Sequence, residues 1–318
     1  MKYKFYSIFS IMALLLSLLF LISCDDVTIN TQYFYNDAEA YKVGEGAVDA
    51  TLIKHIDIDW IVGNVFVDVS DSNEIKFFES YSSDITDDLR MHYNISGNTL
   101  YIKFAKSTKS LLFNGSKKNL YIQVPKDAIL DSYECNMVSS STTIKALNAD
   151  TIHIDSVSGT IDCYNLNSKY IIFDSTSGNI YSKNITTNEF TIESTSGKIT
   201  IENIKSNSLN IDTTSGNILC TSLEIQEVET ESSSSSIILR FKTSPSEIEV
   251  DSISGNIFLY LPREMEFMMN YDTVSGNLSH SFALSKNDSN SFDYSTQNPT
   301  SILDIKSISG NLDIDFSN

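Results

Sequence analysis

The chain has 318 residues and a formal charge of -19, from 41 Asp and Glu against 22 Lys and Arg, which excludes binding to phosphate backbones and acidic membrane surfaces. Hydrophobic residues make up 41% and aromatics 11%, enough to build a large core and to exclude wholesale disorder. With 12 Gly and 4 Pro the chain is neither collagen-like nor low-complexity, yet most of its glycines directly follow a serine, and that bias comes from a repeat.

At the start, Lys2 and Lys4 precede an apolar run from Phe5 to Ile22 broken only by serines, the pattern of an export signal. Leu21-Ile22-Ser23-Cys24 resembles a bacterial lipobox, so residues 1–23 are expected to be removed behind Ser23 and Cys24 to be acylated. Two or more acyl chains would anchor the protein stably. An uncleaved anchor is the alternative, since about 18 apolar residues just cross a thin bilayer. Both readings predict an exported, membrane-anchored bacterial protein, on the cell surface or the periplasmic side. Residues 24–50 are polar and mixed and read as the lipidated N-terminus and its tether.

Residues 51–130 alternate in Ile56-Ile58-Trp60, Val65-Val67-Val69 and Leu100-Ile102-Phe104, and are expected to form irregular β coils covering the N-terminal end of a more regular region. From residue 131 to 318 the pattern becomes periodic. DSVSGTI, DSTSGNI, ESTSGKI and DTTSGNI place Gly159, Gly178, Gly197 and Gly216 at a strict spacing of 19 residues, with degenerate copies at Ser140 and Ser235. Further copies stand at Gly255, Gly276 and Gly310, and an early one at Gly63.

Alignment on the glycine gives columns of one chemical character. Seven before it stand Ile152, Ile171, Phe190 and Leu209; five before, Ile154, Phe173, Ile192 and Ile211; two after, Ile161, Ile180, Ile199 and Ile218. Apolar residues two apart and largely β-branched make each copy a strand, a Ser-Gly turn and a second strand. A 19-residue unit cannot bury its own apolar face, but stacked copies can, which predicts an all-β parallel β-solenoid, or β-helix, with 19-residue rungs. Glycine would supply a positive φ at the turn, Gly178 and Gly197 included, and Asn179, Asn217, Asn256, Asn277 and Asn311 just after it could bond from rung to rung. Residues 279–300 read as a surface loop before a closing rung at Gly310.

Repeated D-S-x-S-G-x-I units, with a strand ending in Pro and an early G-N-V strand, resemble the bacterial putative-adhesin family of β-strand-repeat domains of unknown function. The resemblance covers about residues 50 to 318. It implies a β-helical envelope or surface protein and carries over no catalytic residue.

Cys135, Cys163 and Cys220 are odd in number and show no C-x-x-C, so no disulfide framework is expected; Cys163 and Cys220 share one inward column as small core residues. Four positions before the glycine, Asp155, Asp174, Glu193 and Asp212 form an outward carboxylate ladder, continued by Glu231, Asp251 and Asp272. Solvent and the hydroxyls one residue later, Ser156, Ser175, Ser194 and Thr213, are expected to relieve the repulsion. Calcium bridging Asp155, Asp174, Glu193 and Asp212 is the sharper alternative, and no other cofactor is expected. In the second strand, Leu219, Ile238 and Phe258 replace polar residues in one outward column, beside Arg240 and Tyr260, with Tyr164 and Tyr181 further along. That strip is a candidate binding surface for a surface glycan or protein.

These features predict a non-catalytic envelope or surface lipoprotein acting as an adhesion or binding module. A structural or envelope-stress accessory lipoprotein without an extracellular ligand is the alternative. A carbohydrate-active β-helix enzyme is a lesser one, because stacking alone sets paired carboxylates about 5 Å apart and no base or electrophile cluster accompanies them.

Overall fold

A computed structural model describes residues 32–82, 85–107, 109–110, 118–286 and 293–317. The export signal, Cys24 and residues 25–31 lie outside the described residues. The protein is all-β and solenoid-like, its strands stacked in parallel along one axis. Residues of like column pair directly: Ile152 with Ile171, Ile171 with Phe190, Phe190 with Leu209 and Leu209 with Val228.

Each rung has three sides. Glu189–Ser196 forms the first and ends in the turn at Gly197. The second begins at Ile199 and runs to a corner at Asn203, where the backbone is left-handed, φ 58°. The third carries Ile204, buried against Ile185 on one side and Leu223 on the other, before the chain enters the next rung. The inward columns bury Ile, Leu, Val and Phe almost completely, and Phe173 and Phe190 meet edge to face at 5.1 Å. Each such side chain contributes about 1.5–3 kcal/mol by burial.

The corners carry a ladder that sequence reasoning missed. Asn165, Asn184 and Asn203 share positive φ; Asn184 Nδ2 donates to Asn165 Oδ1 at 3.0 Å, and Asn203 Nδ2 to Asn184 Oδ1 at 2.8 Å. Asparagine tolerates this backbone because its short amide bonds locally. The recurrence of Asn at a 19-residue interval was the available signal. At the Ser-Gly turn, Asn179 Oδ1 accepts from Lys198 N–H and Asn256 Oδ1 from Asn311 N–H, while Asn277 Nδ2 donates to Asn311 Oδ1 at 3.3 Å, so the amides there bond rung to rung through both backbone and side chain.

The turn glycines are held by contact as well as by φ. Gly197 and Gly216 have φ of 134° and 130°, whereas Gly178 lies outside the left-handed region, contrary to expectation. What excludes a side chain at Gly178 is the preceding rung: a Cβ there would lie 2.1 Å from Gly159 O.

Rung order departs from chain order at both ends. His55–Ser70 pairs with Leu130–Ile144 on one side and with Thr99–Lys103 and Lys118–Pro125 on the other. Residues 51–130 are thus divided, with His55–Ser70 carrying Gly63 as a regular rung and the rest forming the end. At the other end, Ser301–Ser309 lies between Glu247–Ser254 and Phe267–Ser275. The rung of Gly310 is therefore internal, and the rung of Gly276 closes the stack, the reverse of the expected order.

Antiparallel strands cover the outer edges, where open pairing groups would invite aggregation. Glu74–Tyr81 covers Lys118–Pro125, and Gly46–Asp49 covers Glu74–Tyr81 in turn. From residue 32 onward the expected tether is part of this cap, with Tyr35 packed on Tyr33 and Tyr41 at 5.6 and 4.7 Å. Within the expected 279–300 loop, Ser285–Lys286 and Asp293–Ser295 pair with each other, and Asp293–Ser295 covers Met268–Asn270. Among the described residues no helix is long and apolar enough to cross a membrane.

Candidate functional site

The carboxylate ladder runs along the first side of the solenoid. In register it reads Lys103, Asp59, Asn136, Asp155, Asp174, Glu193, Asp212, Glu231, Asp251, Lys306, Asp272. Lysine thus stands at one end of the ladder, as Lys103, and between its last two acids, as Lys306. Lys103 Nζ donates to Asp57 at 2.8 Å and Asp59 at 2.6 Å, while Lys306 Nζ stands 3.2 to 3.5 Å from Glu249, Asp251 and Asp304. The hydrogen bond to Asp304 leads in pushing the Lys306 ammonium up to about 12.

Between the lysines the charges are less well matched. Burial, and then repulsion from Asp174, raise the Asp155 carboxyl to about 6. His153 Nε2 meets Asp174 Oδ2 at 2.8 Å, and that bond raises the imidazole above its ordinary value. Burial and then Asp212 raise Glu231.

The expected hydroxyl relief does not form. Ser156, Ser175, Ser194 and Thr213 are buried, because successive residues of a strand point to opposite faces. Ser156 Oγ donates to Gly159 O, while the hydroxyls of Ser175 and Ser194 have no hydrogen-bond partner. Of the calcium candidates, Asp155, Asp174, Glu193 and Asp212 stand in consecutive rungs. Among the described residues no group of three or more His, Cys, Asp or Glu is arranged to hold a metal ion.

The apolar strip lies on the second side. Leu219 pairs with Ile238 and Ile238 with Phe258, all half-buried in an alternation whose other members are core. Arg240 pairs with Tyr260, its guanidinium 3.5 Å from the ring centroid, a cation-π contact. Beyond Phe258 the column continues as Asp313 and Ser279, so residues 278–280 extend the sheet. Tyr164 and Tyr181 contact each other at 5.5 Å further along, beside Asp162, whose carboxyl burial raises. Cys135, Cys163 and Cys220 are free and buried, Cys163 and Cys220 separated in their column by Ser182 and Ile201.

A family model named Toastrack DUF4097 matches residues 53–315. The chain belongs to this family. Similar solved structures include a putative adhesin from Bacteroides fragilis, 19% identical over 69% of this chain and 97% of that one, TM-score 0.49. A putative lipid binding protein from Parabacteroides distasonis is 15% identical over 89% of this chain and 99% of that one, TM-score 0.49. A putative cell adhesion protein from Clostridium sporogenes is 10% identical over 86% and 99%, TM-score 0.29. No curated protein matches the sequence.

One charged cluster of this Toastrack chain was not legible in its sequence. Lys118 is buried at the N-terminal end, its Nζ 3.0 Å from Glu79 Oε2, donating to Leu89 O and Phe104 O and lying 4.1 Å from the Phe104 ring centroid. Glu79 Oε1 accepts from Met91 N–H. Burial outweighs the attraction of Glu79 and lowers the lysine to about 8. The cluster ties Glu79, Leu89 and Phe104 to the outermost rung, and residues so far apart in sequence gave no motif.

Proposed function

We propose that the protein is a non-catalytic binding or adhesion module of the bacterial envelope, exported and held at the membrane through acylated Cys24. The observation that carries this reading is the Leu219, Ile238 and Phe258 column, set in register on a rigid sheet beside the Arg240 and Tyr260 pair. Apolar and aromatic groups fixed on a pre-organised surface lose little conformational entropy on docking, so their contact area is converted efficiently into affinity. Arg and Tyr are the residue types enriched where binding energy concentrates.

The test combines location with surface chemistry. An antibody against the folded domain should label intact cells, and Cys24→Ala should release the protein from the membrane fraction. Replacing Leu219 and Phe258 by Ser should reduce attachment of cells to a glycan- or protein-coated surface while the melting temperature stays nearly unchanged. Antibody labelling only after the envelope is opened would favour an accessory lipoprotein without an extracellular ligand, and unchanged attachment in the double variant would remove the strip from the reading.

A further inference from the structure

The end of the solenoid formed by the rungs of Gly255, Gly310 and Gly276 differs from the middle in one outward column. Two residues before the glycine, the four rungs before this end carry Thr176, Thr195, Thr214 and Ser233, the earlier rungs of Ser140 and Gly159 carry the half-buried Val138 and Val157, and the three end rungs carry Ile253, Ile308 and Val274. These are 53%, 53% and 80% exposed. They become neighbours only because Ser301–Ser309 lies between Glu247–Ser254 and Phe267–Ser275. Together they form one side of an open groove of about 530 Å³ that also takes in Asp212, Glu231, Asp251 and Asp272 along its other side, with Lys306 among them. The groove crosses five successive rungs, about 19 Å at roughly 4.8 Å per strand, the length of about six extended residues.

We propose that this groove binds an extended basic and apolar peptide segment of a partner protein. Alternate side chains of an extended chain point to opposite sides, so aliphatic residues would cover Ile253, Ile308 and Val274 while Lys or Arg residues meet the carboxylates. Charge complementarity selects this occupant. Lys306 is shared among three acids, and the carboxyl of Glu231 is raised in part by the neighbouring Asp212 charge, which an incoming cation would relieve. A second copy of this acidic chain would add repulsion, and a bare divalent ion would leave the apolar side uncovered. The groove lies on the first side of the solenoid and the Leu219 strip on the second, so this assignment stands whether or not the strip binds anything.

Fluorescence anisotropy with a labelled decapeptide of alternating Lys and Val tests it, against a decapeptide of alternating Lys and Ser. Saturable binding of the Lys-Val peptide is expected, at least tenfold tighter than the Lys-Ser peptide. Binding should weaken at least tenfold in a Val274→Ser, Ile308→Ser variant and in an Asp251→Asn, Asp272→Asn variant. Leu219→Ser with Phe258→Ser should bind as the parent does, which separates this groove from the strip. Absence of saturable binding would overturn the proposal. So would equal affinity for the two peptides or undiminished binding by both groove variants, since either would mean diffuse attraction to the acidic surface. If the aliphatic pair destabilises the fold, the single Val274→Ser variant, the most exposed position, carries the same comparison with a loss of at least threefold.

Discussion

A Cβ built on Gly276 would lie 2.1 Å from the carbonyl oxygen of Gly310, and one built on Gly310 would lie 2.0 Å from that of Gly255. The last glycine of the chain therefore sits between two that precede it. The closing rung cannot reach its observed partners until the C-terminal strand is in place, a non-local requirement that loop closure makes slow.

Truncation after residue 298 is expected to unpair Phe267–Ser275 along its inner edge, where it meets Ser301–Ser309. Hydrogen exchange should show lost protection across 267–280 and weakened protection across 247–261, with the middle rungs retained, because solenoid stability is carried by nearest-neighbour interfaces. Unchanged protection in 267–280 would contradict the interleaved order.

Gly197 combines φ 134° with a carbonyl oxygen 2.0 Å from where a Cβ would stand. Gly197→Ala and Gly197→Val should each cost more than the roughly 1 kcal/mol typical of a point substitution. Serine, which occupies Ser140 and Ser235, should not escape this cost at Gly197, because it brings the same Cβ. Chemical denaturation of the three variants would decide it, and a stability of Gly197→Ser equal to the parent would refute the contact argument.

Removing Lys118 leaves the buried Glu79 with Arg90, 3.7 Å from Oε1, as its one remaining cation among the described residues, so Lys118→Met should destabilise by up to about 3–5 kcal/mol, and adding Glu79→Leu should restore part of the loss. Because the folded lysine holds its proton less tightly than the roughly 10.4 of a free side chain, the parent should gain stability relative to the Met variant as pH rises through about 8 toward that value. Burial raises the thiols of Cys135, Cys163 and Cys220 in both proteins and lowers both stabilities over the same range, so the difference between parent and variant reports the lysine. Denaturation midpoints across that range provide the measurement.

Below pH 8 the acid face contributes a trend of its own. A folded Asp155 with its carboxyl raised to about 6 binds its proton more tightly than the unfolded chain, so its burial weakens the fold above that pH and not below about 4. The raised His153 contributes stability that is fully present below its unfolded value and lost as pH rises through the folded one. Both favour the fold at pH 5 over pH 8, whereas His92, whose imidazole burial lowers, favours the higher pH, so the comparison of variants isolates the acid face. Asp155→Asn should raise the melting temperature at pH 8 and change it little at pH 4, and a destabilising effect at pH 8 would show that the carboxylate is needed.

The sequence by itself determined the all-β class, the alternation that buries Ile171, Phe190 and Leu209, and the outward carboxylate ladder. A period of two along a strand and a fixed repeat along the chain are local properties, so each residue's side of the sheet follows from its position. The same rule already placed Ser175 and Ser194 opposite the acids they were expected to serve. Tertiary structure alone decided which rungs are neighbours. Nothing in the repeat distinguishes Gly310 stacked on Gly276 from Gly310 stacked on Gly255 and Gly276 together, because every copy offers the same strand edges; only the paired chain sets Ile308 between Ile253 and Val274, and Lys306 between Asp251 and Asp272. The same holds for Lys118 and Glu79, 39 residues apart, which meet because an antiparallel strand folds over the outermost rung and closes water out around them.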